Sequence, residues 1–277
     1  MQLSVIFTTY NSPLWLEKVL WGYQYQEFKN FEVIIADDGS TSETAQLIEK
    51  MRQQVDYPIR HIWHEDKGFR KCEILNKAIV VSSSDYLVFS DADCIPRKDF
   101  LKVHHDNKEK NHFLSGGAIR LPMELSMLIN KENIFNENAF DKSWLKKNGL
   151  KKSVFKNLKL TKNDLFAKLM NEITFTKATW NGGNASAWKK DILAVNGFDE
   201  RMRYGSEDRE FGERIMNNGI KNKQIRYSAI CIHLYHSRSY VNQQDLDNNV
   251  IIRKVTKAES KTWTDFGIQK TVKQPIK

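Results

Sequence analysis

The chain has 277 residues, 40% hydrophobic and 11% aromatic, enough to bury a substantial core as one large domain or two packed lobes, which excludes a disordered chain. A formal charge of +9 favours anionic partners without choosing among a nucleotide diphosphate, an acidic saccharide, nucleic acid and a phospholipid surface. Three widely spaced cysteines, Cys72, Cys94 and Cys231, give neither a disulfide framework nor a Cys-type zinc site and suit a reducing cytosol, and no window approaches the roughly 18 apolar residues of a membrane span.

In chain order, Leu3 to Thr8 reads as a buried strand, and Ser12-Pro13 as an N-cap with proline at the first helical position of a helix to about Gln26. Leu16, Val19, Leu20 and Tyr23 form its core face. Phe31 to Ala36 is a second strand, which stops on Asp37-Asp38-Gly39-Ser40-Thr41 before a helix carrying Leu47, Ile48 and Met51. Strand and helix repeat through Ile59 to Trp63 and the segment bearing Cys72, Leu75, Ala78 and Ile79, a βαβα rhythm that implies a parallel sheet. Tyr86 to Ser90 is a further buried strand ending on Asp91 and Asp93. Side chains two apart on an extended segment share a face, so these carboxylates are expected to converge where open α/β sheets bind ligands. Such an oxygen pair suits Mg²⁺ or Mn²⁺ bridging a phosphate, although a pair at a strand end is also a common turn former or helix cap.

From Asp99 a short helix leads to a strand around Phe113 to Ile119, after which the periodicity dissolves until about Ala178. Lys142, Lys146, Lys147, Lys151, Lys152, Lys156, Lys159 and Lys162 interleave there with Phe140, Trp144, Leu150, Phe155 and Leu158. The stretch is either an amphipathic insertion that covers a site or touches an anionic surface, or a solvated helical excursion. Adjacent Gly182 and Gly183 permit a close backbone approach. Ser206 is expected to cap a helix that buries Phe211, Ile215 and Met216 and ends near Gly219. In its first turn Glu207 and Asp208 either complement the helix dipole or supply a general base. Ala229 to Ile232 is a strand running into His233 and His236, whose spacing makes them candidate metal ligands.

Taken together, SVIFTTYN (4–11), ADDGST (36–41), HEDKGFRKCEILNKAI (64–79) and YLVFSDADCIP (86–96) resemble the nucleotide-sugar half of family 2 glycosyltransferases. WNGGNASAWKKDILAVNGFDERMRYGSEDREFGERIMNNG (180–219) with HLYH (233–236) resembles the acceptor half of bacterial chondroitin polymerase domains and of animal β-galactosyltransferases. The resemblance implies an α/β protein of GT-A fold: a Rossmann-like, mostly parallel central sheet flanked by helices, with an acceptor-binding C-terminal portion. The chain is accordingly divided into a nucleotide-sugar half (1–121), a lysine-rich insertion or lid (122–178), an acceptor and catalytic half (179–240) and a C-terminal tail (241–277). The implied activity is inverting transfer of a hexose or N-acetylhexosamine from a UDP-sugar to a saccharide or lipid-linked saccharide, in bacterial surface polysaccharide synthesis such as capsule or lipopolysaccharide. The expected setting is the cytoplasm, with peripheral contact at the inner membrane face as an option and no nucleic-acid partner.

By the same resemblance Thr9 and Tyr10 cradle the uridine, Asp38, with Asp37 as a further candidate, binds uracil or ribose, and Arg70 lies near the diphosphate. Asp91 and Asp93 correspond to the family's Asp-x-Asp. Asp93 then binds Mn²⁺ or Mg²⁺ directly, Asp91 contacts ribose or the ion's water, and His236 closes the shell, with His233 a second candidate ligand. Gly182, Gly183 and Asn184 line the donor sugar, Asp208 is the base, and Glu207 holds the acceptor or a donor hydroxyl. The chain departs from the family at Tyr204-Gly205-Ser206-Glu207-Asp208, where members usually read Trp-Gly-Gly-Glu-Asp, and at Leu75-Asn76, where they read Arg-Asn. Two other classes remain as alternatives: a metal-dependent phosphatase, which tends to carry its Asp-x-Asp on the first strand, and a non-enzymatic binder of anionic polymer or membrane, which has no need for acids at three strand or helix ends.

Overall fold

Strands made almost wholly of Val, Ile, Leu and Phe pack on both faces, so they sit inside a parallel sheet with helices above and below. The computed structural model describes every residue except 152, 178, 238–240 and 271–277, and the side chains of 154 and 155, so Lys152 and the Phe155 side chain of the lysine-rich stretch lie outside the described residues. The chain runs through β1 (Leu3–Thr9), α1 (Pro13–Gln24), β2 (Phe31–Asp37), α2 (Ser42–Arg52), β3 (Ile59–Trp63), α3 (Lys71–Val81) and β4 (Tyr86–Asp91). Next come β5 (Cys94–Pro96), α4 (Phe100–Asn107), β6 (His112–Ser115) and β7 (Gly117–Arg120), followed by α5 (Met123–Leu128), α6 (Lys131–Phe135), α7 (Lys142–Lys147), α8 (Val154–Asn157) and α9 (Asp164–Ile173). The last elements are β8 (Asn184–Trp188), α10 (Lys189–Ala194), α11 (Glu207–Asn217), β9 (Lys221–Gln224), β10 (Ile230–His233) and α12 (Gln243–Ala258).

The large sheet has the order β3-β2-β1-β4-β8-β6-β9, parallel from β3 through β4, with β8 antiparallel to both β4 and β6. Val5, Phe7, Val33 and Ile35 face one core, which α1 and α2 cover, while Ile6, Ile34, Leu87 and Phe89 face a second core closed by α3, α10 and α11. Because the chain leaves β1 for β2 and β3 on one side and returns to β4 on the other, its strand order reverses at β1 and β4. Ligands bind in the crevice beyond the carboxyl ends at such a reversal.

The strand expected over Phe113 to Ile119 is two strands. β6 joins the large sheet and β7 a small one of order β5-β10-β7, because the chain swerves at Gly116, where a Cβ would lie 2.0 Å from the Asn184 amide oxygen. The region where periodicity dissolves also has structure, in helices of four to ten residues that are too short to print a helical period. Three of them carry side-chain caps: Asn130 accepts from the Asn133 N–H (2.9 Å), Asp141 from that of Trp144 (2.7 Å) and Asn163 from that of Phe166 (2.9 Å). Leu125, Ile134, Phe140, Leu145, Leu150 and Leu160 join the first core, so this segment is packed onto the body. Only Ala167 of α9 is buried, leaving Leu165, Leu169, Ile173 and the following Phe175 in solvent. Within the expected tail, α12 packs on α11 through Arg253–Glu213 and the Thr256–Glu210 hydrogen bond of 2.9 Å.

Candidate active site

Register brings the acidic strand ends together. Thr9 lies beside Asp37 and Thr8 beside Asp91, so β1, β2 and β4 finish level. At this edge the Thr9 hydroxyl is buried without a hydrogen-bond partner among the described residues, and Tyr10 stands half exposed with its hydroxyl donating to Asp66 at 2.8 Å. Asp37 stands at the end of β2. Its carboxylate is 1% exposed and accepts from the Ser40 N–H (2.8 Å) while contacting His61 Nε2 (2.9 Å), which makes it a fixed part of the strand end. Asp38 turns to His64 (2.7 Å) and to the Arg70 N–H (2.9 Å). Arg70 is thereby drawn to Asp38, and its guanidinium is spent on Glu73 (3.0 Å) and the Glu65 carbonyl. The cation beside Asp91 is its neighbour, Lys71.

The two carboxylates of the Asp-x-Asp do not share one extended face. β4 ends at Asp91, the chain turns at Ala92-Asp93, and β5 begins at Cys94. The turn sends Asp91 toward Lys71 (3.5 Å) and Asp93 toward the last strand, where its carboxylate lies 3.3 Å from His236 Nε2 and 3.9 Å from His233 Nε2. Pairing of β10 with β5 sets His233 opposite Cys94, and the Leu234 N–H donates to the Asp93 carbonyl at 2.8 Å. Both imidazoles contact a backbone carbonyl through Nδ1, His233 that of Leu234 (2.8 Å) and His236 that of Ser237 (3.0 Å), which leaves both Nε2 atoms to Asp93. These Nδ1 contacts with carbonyls fix the tautomer a metal ligand needs. Burial raises the Asp93 carboxyl, Asp91 adds to the effect, and the two histidines oppose it. One carboxylate and two imidazole nitrogens fit Mn²⁺ better than all-oxygen Mg²⁺, and the Cys94 sulfur lies within 4.8 Å of the ligand atoms of Asp93 and His233, its thiol held well above the usual range by Cys231 and burial. A cavity of about 400 Å³ opens beside these histidines, walled by Leu121, Leu234 and Tyr235 and edged by Arg120.

The acceptor-side acids arrive from α11. Antiparallel pairing places Asn184 opposite Ser90, so the residues before β8 run past the end of β4. A Cβ on Gly183 would sit 2.9 Å from Asp91 Oδ2, and one on Gly182 2.4 Å from Asp208 Oδ2. The glycines are therefore needed because the backbone lies against two carboxylates. Asn184 is wholly buried, bonding His104 (2.9 Å) and the carbonyls of Gly117 (2.9 Å) and Ala229 (3.0 Å), and so ties the two sheets together. Ser206 occupies the N-cap position without a side-chain cap, since its φ of 72° carries the chain through the left-handed region after Gly205 at φ 107°. Glu207 reaches back along the chain instead, its carboxylate accepting from the Gly205 N–H at 2.9 Å and so holding the turn that enters α11. Asp208 keeps one buried oxygen, Oδ1, with no hydrogen-bond partner among the described residues. Burial, followed by Glu207 and Asp91, pushes its carboxyl up to about 7, with Lys71 pulling the other way.

Sequence reasoning missed two residues here. Lys71 lies 3.5, 3.6 and 4.0 Å from Asp91, Glu207 and Asp208. Its signal was a lysine opening a helix, the end where the dipole disfavours a cation. Asn249 of α12 donates to the carbonyls of Arg203 (3.1 Å), Tyr204 (3.1 Å) and Gly205 (2.7 Å), which clamps the loop entering α11. No local pattern marked it.

A Rossmann-like sheet with an antiparallel strand beside its switch point, fused to a second small sheet, is the GT-A fold of glycosyltransferases, and a solved structure bears this out. The 1–349 fragment of TarS from S. aureus in complex with UDP-GlcNAc superposes with a TM-score of 0.61 over 92% of this chain and 66% of that one; at 19% identity the likeness establishes the fold. Within this class the chain belongs to glycosyl transferase family 2, whose model matches residues 4–154. A second model, described as the N-terminal domain of galactosyltransferase, matches residues 167–237. Among curated relatives, an uncharacterized glycosyltransferase of Bacillus subtilis is 26% identical, covering 90% of this chain and 69% of that protein. Chondroitin synthase of Pasteurella multocida is 24% identical over 78% of this chain but only 23% of its own length, so this chain corresponds to a fraction of that enzyme. Among the described residues no helix is long and apolar enough to cross a membrane.

Proposed function

We propose that the protein is an inverting hexosyltransferase that moves a hexose or N-acetylhexosamine from a UDP-sugar to a saccharide or lipid-linked saccharide acceptor. The observation that carries this reading is the unpartnered buried oxygen of Asp208, a general base positioned for an acceptor hydroxyl. Thr9 and Tyr10 would hold the uridine with Asp38, and Asp91 the ribose, at the carboxyl ends of β1, β2 and β4. Asp93, His236 and His233 would hold Mn²⁺, which, when bound, offsets the negative charge that develops on the departing diphosphate. Glu207, fixed by the Gly205 N–H, would orient a hydroxyl of acceptor or donor. Asp208 removes the acceptor proton while the sugar C1 is attacked from the face opposite the leaving group. One displacement inverts the anomeric centre, with Asp208 as base and no covalent intermediate on a carboxylate.

Support for the donor class comes from the solved relative that binds UDP-GlcNAc, and for a glycan product from the chondroitin synthase relative. A role in bacterial surface polysaccharide synthesis follows the same line. In this reading 1–121 is the donor half and 179–240 the acceptor half. Contact with an anionic membrane is supported by the exposed apolar edge of α9, where Leu165, Leu169, Ile173 and Phe175 stand next to Lys162, Lys168 and Lys177. A panel of UDP-sugars assayed for Mn²⁺-dependent hydrolysis tests the activity: release of UDP from at least one is expected. Release of phosphate from simple phosphomonoesters with no UDP-sugar turnover would replace the reading with a phosphatase.

A further inference from the structure

Lys71 opens α3 with its side chain 16% exposed and three carboxylates from two elements within 4.0 Å of its ammonium: Asp91 of β4, and Glu207 and Asp208 of α11. Burial alone would lower this ammonium, but the three acids outweigh it and hold Lys71 well above its usual range, so the group is a permanent cation. Its placement is enforced from outside the site. Arg70 beside it is locked onto Glu73 and the Glu65 carbonyl, and the Arg203 guanidinium donates to the Phe69 carbonyl, stitching the start of α3 to the loop that enters α11. No other lysine or arginine of the described residues forms an ion pair with Asp91, Glu207 or Asp208. Three anions packed this closely around a single cation would repel one another strongly without it.

We propose that Lys71 is the positioning residue of the transfer reaction: its ammonium joins the donor-side Asp91 to the acceptor-side Glu207 and Asp208, and thereby keeps Asp208 anionic and aimed at the acceptor hydroxyl. This rests on the reading of Asp208 as the base. The charged groups that act most on Asp208 are three, Lys71 from α3, Asp91 from β4 and Glu207 from its own helix, and a hydrogen bond from the Gly182 N–H adds a smaller preference for the anion. Two of the three are acids that favour the protonated form, and burial works in the same direction. Lys71 alone among them opposes protonation. Removing its charge therefore raises the Asp208 midpoint, protonates the base at neutral pH and moves the acid limb of the rate profile to higher pH. A phosphate-binding lysine behaves differently, because its loss weakens UDP binding and leaves the profile where it was.

The direct test needs no donor sugar. Protein labelled with ¹³C at aspartate carboxyls is titrated by NMR, with Asp208→Asn assigning the resonance. Lys71→Met should shift the Asp208 midpoint upward by about one pH unit or more, and Lys71→Arg should leave it near the native value. An unshifted midpoint in folded Lys71→Met overturns the proposal. Should that variant fail to fold, Lys71→Gln combined with Asp91→Asn, which removes one charge of each sign, serves in its place; a midpoint displaced upward from that of Asp91→Asn alone supports the role, and coincidence overturns it. In the UDP-sugar hydrolysis assay Lys71→Met should lose about tenfold or more at pH 7, recover as the pH rises, and bind UDP as the native protein does. A loss of UDP affinity equal to the loss of rate overturns the role in favour of phosphate contact. Shifted titration with no UDP-sugar turnover in any variant would sink the transferase reading and leave the electrostatic role standing.

Discussion

The donor edge and the acceptor edge of this site are built by different means. At the donor edge the strand ends do the placing: Thr9 and Asp91 stand where they do because β1 and β4 end in register, and Asp38 follows directly on β2. At the acceptor edge the backbone alone places little. Asp208 and Glu207 follow a loop with two consecutive positive-φ residues, and they are held by side chains distant in sequence, Lys71 from α3 and Asn249 from α12. The lesson is that a sheet spreads the cost of positioning over many backbone hydrogen bonds, whereas a loop-borne site concentrates it in a few contacts. Substitutions at the two edges should fail in distinguishable ways.

The largest expected effect lies at the junction of the edges. Asp93→Ala removes the carboxylate that faces both histidine Nε2 atoms, so Mn²⁺ binding and turnover should both fall below detection in calorimetry and in the hydrolysis assay. Unchanged activity in a chelator would remove the metal from the scheme. Next comes Asp208→Asn, which keeps the shape at Gly182 but cannot take a proton. A loss of about 10²–10⁴-fold in kcat is expected, with UDP affinity preserved. Nearly normal turnover would reduce Asp208 to a helix-dipole residue, and the comparison would lose its acceptor side. Glu207→Gln is the control, expected to raise the acceptor KM more than it lowers kcat.

A subtler contrast is in pH. Burial, reinforced by Glu207 and Asp91, places Asp208 at about 7, so a base that must be anionic is protonated below that value. The rate should fall about tenfold per pH unit below 7 and level off above it, while UDP binding, which depends on the donor edge, should not follow that curve. An acid limb centred near the ordinary carboxylate range of about 4 would mean that the charge environment of the acceptor edge has been misread.

The same contrast explains what could be read from the sequence. β1, β2 and β4 were legible as apolar runs, the last two ending on acids, and the His233–His236 spacing was legible because it followed a buried strand. Asp91 and Asp93 were recognised as a pair, but their expected shared face depended on an extended backbone, and the turn at Ala92-Asp93 divides them between Lys71 and the histidines. Asp37 and Asn184 were assigned to ligand because of where they stood in a motif. Their hydrogen bonds point inward, to Ser40 and His61 and to His104 and two carbonyls. Between Met123 and Ile173 the caps Asn130, Asp141 and Asn163 were present in the sequence, yet helices of one to three turns offered no period to confirm them. Lys71 and Asn249 were illegible in a stronger sense, since their partners are more than forty residues away except for Asp91, twenty residues on.

Asn249 offers the smallest and most discriminating test. One amide group serves three carbonyls, of Arg203, Tyr204 and Gly205, and Leu246 packs so near Gly205 that a Cβ there would lie 2.4 Å from its side chain. α12 therefore presses on the strained turn from one side while the Glu207 carboxylate holds it from the other. Asn249→Ala leaves buried carbonyls without a donor, at an expected cost of about 1–3 kcal/mol, seen as a lowered midpoint in urea. A loop freed in this way no longer aims Asp208, so kcat should fall by about tenfold with UDP and Mn²⁺ binding unaltered, in keeping with the sensitivity of catalysis to small misplacements. Asn249→Asp is the sharper partner experiment, because it keeps the size but turns the donor into an acceptor facing three carbonyls. It should be worse than alanine on both measures. Equal and small effects from the two would mean that the loop holds its shape without α12, and that the acceptor edge, like the donor edge, is positioned by its own backbone.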